Sequence, residues 1–359
     1  MTPSTSLAAP LQEEAPTGSE ALLRDSYGRA ITDLRLSVTD RCNYRCVYCR
    51  TGNTGAAYGE LPLETYARIL RLFVSLGVEK IRFTGGEPLL RQGLPQLIRE
   101  ARRLKPAFVP GGQLDLALTT NGHLLAEKAR ELRASGLDRV TVSMDAVEPE
   151  VFARITRVPN SFERVRDGIR AAQDAGFERI KVNCVLMRGF NDDQIEAFAE
   201  FSRTEDVIVR FIEFMPLEEA DDSNGTGRRW SPETVIPFTE IVERLNRIRP
   251  LKPLAPNHLS ETARRFTFDD GLGEIGIIAP VSQPFCGHCS RIRLTSDGKL
   301  RTCLFSHFDH DLAGRMTKDV SDSELTTWIR SVVDRKEKRH HIGEPGFLKP
   351  GRAMVHIGG

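Results

Sequence analysis

The sequence predicts an α/β fold: six β–α units in one continuous run, followed by an α+β extension. Three observations predict it. Short β-branched runs alternate with helix-period segments from Asp33 to Met215. No clear break divides that alternation. After Pro216 the pattern changes to a loop, one helix and two hairpins. Six units suggest an open, partial barrel rather than a closed one. A doubly wound sheet gives the same alternation, and spacing alone does not separate the two.

The predicted strands are Leu34–Val38, Lys80–Thr84, Leu114–Thr119, Arg139–Ser143, Ile180–Leu186 and Val207–Phe214. They are apolar on both faces in places, as parallel strands buried between layers are. Between them Tyr66, Ile69, Leu70, Phe73 and Val74 form one helix face, and Gly77 closes that helix. Similar helical segments run near 94–104, 123–135, 162–175 and 192–203. In the extension, 232–248 reads as a helix. Hairpin signals follow at 265–279 and 291–304, turning at Asp269-Asp270-Gly271 and Ser296-Asp297-Gly298. This divides the chain into a flexible tail (1–27), the β–α run (28–215) and the extension (216–359).

Composition excludes several function classes. Net charge is +1, so no global field favours nucleic acid or an anionic membrane. No apolar run reaches the roughly 20 residues needed to cross a bilayer. Met1 to Ser26 lacks the basic start and apolar centre of a signal peptide. Seven cysteines in 359 residues do not suggest a disulfide framework, and thiols kept reduced for metal binding fit a cytoplasmic location.

Polar residues cluster where each predicted strand ends: Thr39 and Asp40, Gly85 to Glu87, Thr119 to Asn121, Ser143 and Asp145, Asn183, then Glu213 and Met215. In α/β barrels that end carries the active site, so the six together read as the rim of a substrate chamber.

Cys42, Cys46 and Cys49 form C-x3-C-x2-C just after the first strand. Three thiolates can hold three corners of an iron–sulfur cube and leave one iron open, whereas structural zinc usually takes four ligands. The second strand runs into Thr84-Gly85-Gly86-Glu87-Pro88, a glycine turn with a carboxylate. Cys286, Cys289 and Cys303 form a second triplet, C-x2-C-x13-C. Zinc with His288 or His307 as fourth ligand is the competing reading there. Arg291 and Arg293 alternate along the adjoining strand, face one side, and suit an anion. Cys184 sits in a strand pattern and reads as a buried small apolar residue.

The first triplet, with Tyr48 before its last cysteine, and the Gly-Gly-Glu-Pro turn together resemble the radical S-adenosylmethionine (SAM) superfamily. The resemblance narrows on 33–43, 82–88, 118–122, 210–215, the second triplet with its Arg-x-Arg, and the terminal Gly358-Gly359. From about Gly28 onward the chain resembles the GTP 3′,8-cyclase family of molybdenum cofactor biosynthesis. It departs in its long N-terminal stretch, in Arg50-Thr51-Gly52 after the third cysteine, and in a glycine loop at 109–113.

The resemblance implies a partial (β/α)6 TIM-like barrel whose extension carries a second cluster. It implies two [4Fe–4S] clusters, held by Cys42, Cys46 and Cys49 and by Cys286, Cys289 and Cys303. It implies SAM contacts at Tyr48, Gly86, Ser143 and Met215. GTP contacts follow at Arg35, Arg82, Thr119, Lys181, Arg291 and Arg293, with Arg210, Gly358 and Gly359 as additional contacts. The glycine pair is expected as a slim strand entering a crowded site. The implied reaction is lyase chemistry: SAM cleavage, hydrogen removal from ribose C3′, and attack on guanine C8. Implied partners are a flavodoxin- or ferredoxin-type donor and the downstream cyclic pyranopterin monophosphate synthase, and a homodimer is compatible. The rival readings are a radical SAM peptide-modifying enzyme with an auxiliary cluster and a non-catalytic iron–sulfur or zinc module.

Overall fold

The computed structural model describes residues 22–49, 57–217 and 229–358. Six β–α units build the first part. They are β1 (Asp33–Ser37), α1 (Leu63–Ser75), β2 (Lys80–Thr84), α2 (Leu94–Arg103), β3 (Asp115–Thr120), α3 (Leu125–Ala134), β4 (Arg139–Ser143), α4 (Pro149–Thr156), α5 (Ser161–Asp174), β5 (Lys181–Leu186), α6 (Ile195–Thr204) and β6 (Ile208–Glu213). The extension adds α7 (Phe238–Ile248), β7 (Leu251–Leu254), β8 (Arg264–Phe268), β9 (Glu274–Ile278), β10 (Arg291–Leu294), β11 (Lys299–Arg301), β12 (His310–Asp311), α8 (Asp322–Val333) and α9 (Met354–Ile357).

All these strands join one sheet, in the order β12-β11-β10-β1-β2-β3-β4-β5-β6-β9-β8-β7. The extension therefore makes no separate layer. Strand β10 pairs parallel to β1, and β9 pairs parallel to β6. A six-stranded open barrel leaves two edges of unpaired N–H and C=O groups. Each predicted hairpin covers one of them. The new edges are blunted: β7 carries Pro253, and β12 is two residues long.

The barrel strands alternate more strictly than expected. Leu34, Leu36, Ile81, Phe83, Leu116 and Leu118 are fully buried toward the helices. Their neighbours Asp33, Arg35, Lys80, Arg82 and Asp115 line an internal cavity. The expectation of strands apolar on both faces is thus corrected. The inner face encloses a polar chamber instead of a packed core.

Helix α1 ends at Gly77, whose φ of +102° is costly for any other residue. Elements α4, β7, β12, α8 and α9 lie outside the elements the sequence predicts. The start of α8 was readable: Ser321 and Glu324 form a reciprocal cap, with Glu324 N–H donating to Ser321 Oγ at 3.2 Å and Ser321 N–H to Glu324 Oε2 at 2.9 Å. Glycine 358 closes the single turn of α9, so a helical turn replaces the expected slim strand; Gly359 lies outside the described residues. Residues 50–52 also lie outside them.

Leu22 to Tyr27 belong to the stretch expected as a tail, yet they pack. Leu23 is fully buried, and its N–H donates to Leu76 O at 2.9 Å. Leu23→Ala should lower stability by about 2–5 kcal/mol, the usual range for a buried leucine. Chemical denaturation of the metal-free protein reads this as a lowered midpoint; an unchanged midpoint would show that the segment is only laid on the surface.

Candidate active site

The first cysteine triplet lies in the loop beyond the C-terminal end of β1. That loop is pressed against the glycine turn after β2. Gly86 N–H donates to Thr39 O at 2.8 Å, and Glu87 N–H to Arg41 O at 2.7 Å. A Cβ on Gly86 would sit 2.2 Å from Arg41 O, so only glycine permits the approach. Tyr44 N–H points at Cys42 Sγ at 3.4 Å, and Asn121 Nδ2 lies 3.9 Å from the same sulfur. These donors suit a thiolate. Glu87 is fully buried and accepts from Thr120 Oγ1, Asn121 N–H and Leu89 N–H. Burial nevertheless pushes its carboxyl up to about 7. Tyr48 O–H donates to Asp145 Oδ2 at 2.7 Å, and burial raises that carboxyl to about 6.

The second triplet lies at the opposite end of the barrel. Because β10 runs parallel to β1, Cys286 and Cys289 precede its N-terminal end, and Cys303 follows antiparallel β11 to the same end. All three line a cavity of about 750 Å³ that occupies the barrel interior. Burial opposes ionisation of Cys289, but Arg291 and Lys336 outweigh it and bring the thiol down to about 6. Arg291 Nη2 lies 3.4 Å from Cys289 Sγ. His288 and His307 are exposed and do not line the cavity. Among the described residues no three His, Cys, Asp or Glu side chains converge as ligands of one ion.

Sheet register arranges the charges between the two ends in rows. One row reads Arg291, Asp33, Lys80, Asp115 across four neighbouring strands. Its signs alternate, and Lys80 Nζ sits 3.2 Å from Asp33 Oδ2. The next row reads Arg293, Arg35, Arg82, Ala117. It holds three guanidinium groups and no carboxylate. Arg82 donates to Thr119 Oγ1 at 3.1 Å and Thr141 Oγ1 at 3.2 Å, and Arg293 donates to Gly358 O. Arg35 Nε is buried with no hydrogen-bond partner among the described residues. Burial and then Arg35 push Arg82 down to about 10. Arg210, with Nε donating to Asn183 Oδ1 at 2.9 Å, is pushed down to about 9 by burial, Arg82 and Arg35. Burial, then Arg210, Arg139 and Arg82, bring Lys181 down to about 7.

Two family models divide the chain: residues 36–202 match the radical SAM superfamily, and residues 207–342 match Molybdenum Cofactor Synthesis C. A GTP 3′,8-cyclase of Xanthomonas campestris pv. campestris (strain B100) is 44% identical over 321 residues, covering 88% of this chain and 90% of that protein. A GTP 3′,8-cyclase of Streptomyces coelicolor is 38% identical over 354 residues, covering 97% and 100%. The chain belongs to the GTP 3′,8-cyclase family. Among solved structures, Streptococcus suis SuiB bound to S-adenosylmethionine shares the fold, with a TM-score of 0.57 at 14% identity over 85% of this chain and 69% of that one. Membership of the radical SAM superfamily brings with it a [4Fe–4S] cluster and SAM, and the family acts in molybdenum cofactor synthesis.

The cyclase-family positions fall into two groups. Arg35, Arg82, Thr119, Lys181, Arg210, Arg291, Arg293 and Met215 line the cavity with the second triplet. Cys42, Cys46, Cys49, Tyr48, Gly86 and Ser143 do not; they lie at the other end of the strands. The Tyr48 and Phe214 rings, 6.5 Å apart, connect that end to the cavity through neighbouring Met215. Gly358 enters the barrel with a φ of +73°, and a Cβ there would lie 2.8 Å from Thr84 Cγ2.

The expected rim is only partly a rim. Glu213 turns to main chain, accepting from Val281 N–H at 2.8 Å, Ser282 N–H at 2.9 Å and Phe238 N–H at 3.0 Å. Asp40 accepts from Ala57 and Tyr58 N–H. Both carboxylates bind loops, because several donors converge on them. Cys184 is fully buried, as expected. Sequence reasoning missed Arg352, which grips Asp297 with two bonds of 3.0 Å and stacks 4.1 Å over Tyr58, tying down the chain that delivers Gly358. It also missed Arg29, whose guanidinium donates to Cys286 O at 2.9 Å and Lys338 O at 2.8 Å. Neither sits in a motif; each partner is remote in sequence.

Proposed function

We propose that the chain converts GTP to (8S)-3′,8-cyclo-7,8-dihydroguanosine 5′-triphosphate, the first step of molybdopterin biosynthesis, with GTP bound inside the barrel between two clusters. The observation that supports this best is the row of Arg293, Arg35 and Arg82, three neighbouring cations without a carboxylate in a buried cavity. A triphosphate supplies the missing negative charge, and guanidinium forks match its oxygens. The cavity volume of about 750 Å³ lies in the range of nucleotide-sized pockets.

The barrel of 28–215 carries the SAM half, with Tyr48, Gly86, Ser143 and Met215 around the ligand. The extension of 216–359 carries the second cluster on Cys286, Cys289 and Cys303. Three cysteines on one cavity wall suit a cube in which each thiolate binds its own iron. Cys42, Cys46 and Cys49 would hold the first cluster, which together with SAM would supply the radical chemistry directed at ribose C3′. The chain's own residues hold the triphosphate on Arg35, Arg82, Lys181, Arg210 and the Arg291–Arg293 pair, orient the ribose, and exclude water. Gly358, tied to Arg293, closes the chamber beside Thr84. A flavodoxin- or ferredoxin-type reductant is the electron source this chemistry requires, and a cyclic pyranopterin monophosphate synthase would consume the product.

Anaerobic incubation with SAM, a reductant and GTP, followed by product identification, tests the reading directly; SAM cleavage without cyclised GTP would sink it. Arg35→Ala, Arg291→Ala and Arg293→Ala should each weaken GTP binding about ten-fold or more, since a charge-assisted bond contributes roughly 1.5–3 kcal/mol. SAM binding should persist in all three. Equilibrium binding of GTP to the anaerobic protein decides the matter, and unchanged affinity throughout would make these residues structural.

Lys181 adds a pH signature. With its pKa near 7 in the free protein, it is largely neutral above that pH. A bound polyanion favours the charged form and raises the pKa. GTP binding above pH 7 should therefore take up about one proton through Lys181, and affinity should fall as pH rises. Well below pH 7 Lys181 is already charged and contributes no uptake. Calorimetry in buffers of different ionisation enthalpy reads this, and Lys181→Met should remove the Lys181 contribution.

A further inference from the structure

Lys336 is 3% exposed and lines the cavity beside the second cysteine triplet. Its Nζ donates to Arg291 O at 3.1 Å and to Thr302 O. Those carbonyls belong to the two stretches that carry Cys289 and Cys303. Among the described residues no carboxylate pairs with Lys336. The adjacent acid, Glu337, accepts from Thr302 Oγ1 at 2.7 Å. The other cation holding these loops differs: Arg29 donates to Cys286 O and carries its own counter-charge, Asp25 Oδ2 at 2.5 Å.

A buried ammonium without a counter-charge is costly, and such groups are paired in stable proteins. Lys336 shares one cavity wall with Cys289 and Cys303, and its two carbonyl partners lie within two residues of them. The negative charge it faces is therefore that of the cysteine set itself. A fixed cation beside a cluster also favours the more negative, reduced form, which raises the reduction potential.

We propose that Lys336 is the buried counter-ion of the second cysteine set: a positioning residue that joins the Cys289 and Cys303 stretches and holds the potential of the cluster bound there more positive than it would otherwise be. The proposal rests on the reading of this set as a cluster site, and the experiment separates the two.

The background is the full chain carrying Cys42→Ala, Cys46→Ala and Cys49→Ala, so that only the second site can hold iron. Iron and sulfide analysis of this parent tests the cluster reading alone; zinc in place of iron overturns that reading. Into the same background go Lys336→Met, Lys336→Gln and Lys336→Arg. Spectroelectrochemical titration should give a more negative midpoint for the two neutral variants and a midpoint close to the parent for Lys336→Arg. Neutral variants that fold but lose the cluster, with Lys336→Arg retaining it, also support the counter-ion role. Unchanged midpoints and iron content in the neutral variants overturn it. Thermal unfolding of the metal-free proteins reads the joining role separately, independent of cluster content. Loss of the two main-chain bonds should lower the unfolding midpoint of Lys336→Met and Lys336→Gln. An unchanged unfolding midpoint in both overturns the joining role.

Discussion

Arg293, Arg35 and Arg82 stand side by side on three neighbouring parallel strands, about 4.8 Å apart in the pairing direction. Like charges directly opposite each other destabilise a sheet. One step away along the same strands, Arg291, Asp33, Lys80 and Asp115 alternate in sign and neutralise one another. The same backbone thus carries a self-satisfied ionic row and an unsatisfied one. In the first, the Lys80–Asp33 pair is architecture, while Arg291 at its end reaches Cys289. The second places three guanidinium groups side by side with no carboxylate in the row. Most other features serve this row: the extension completes it with Arg293, the inner faces stay polar to house it, and Gly358 caps one of its members.

Parallel pairing of β10 with β1 decides where the chemistry can happen. The first cysteine triplet follows the end of β1, and the second precedes the start of β10. Two strands in parallel register hold these triplets at opposite ends of the strands, the second lining the chamber and the first lying beyond it. Their separation is set by strand length, a rigid quantity, instead of by loops.

Much of this was legible in the sequence because the relevant signals are local. The β–α alternation, both cysteine spacings and the Arg291–Arg293 alternation are all patterns within short windows. Predicted strands at Lys80–Thr84 and Arg139–Ser143 match the observed bounds. What stayed hidden is non-local. Nothing around Arg291 announces that its strand lies beside Asp33, and no window shows that Glu213 collects three main-chain amides. Arg29, Arg352 and Lys336 act through partners far along the chain or through main-chain carbonyls, which leave no side-chain signature. The Ser321–Glu324 cap is written in the sequence as Ser-x-x-Glu. The polar strand ends misled in part because a carboxylate that binds a loop and one that lines a substrate chamber look alike until their donors are seen.

The two strands that seal the barrel, β9 and β10, come from the last part of the chain. Arg29 meets the Cys286 carbonyl across 257 positions. Such distant closure makes folding slow, since loop entropy is spent long before the contacts that reward it. While the chain emerges from the ribosome, β1 and β6 present open edges of the kind that recruit other strands. The cation row and the cysteine wall of Cys286, Cys289 and Cys303 then arise together, at the final step. A chain cut short before β10 is therefore no partial enzyme. It is an unsealed sheet bearing reactive thiols, a natural target for chaperones and proteases.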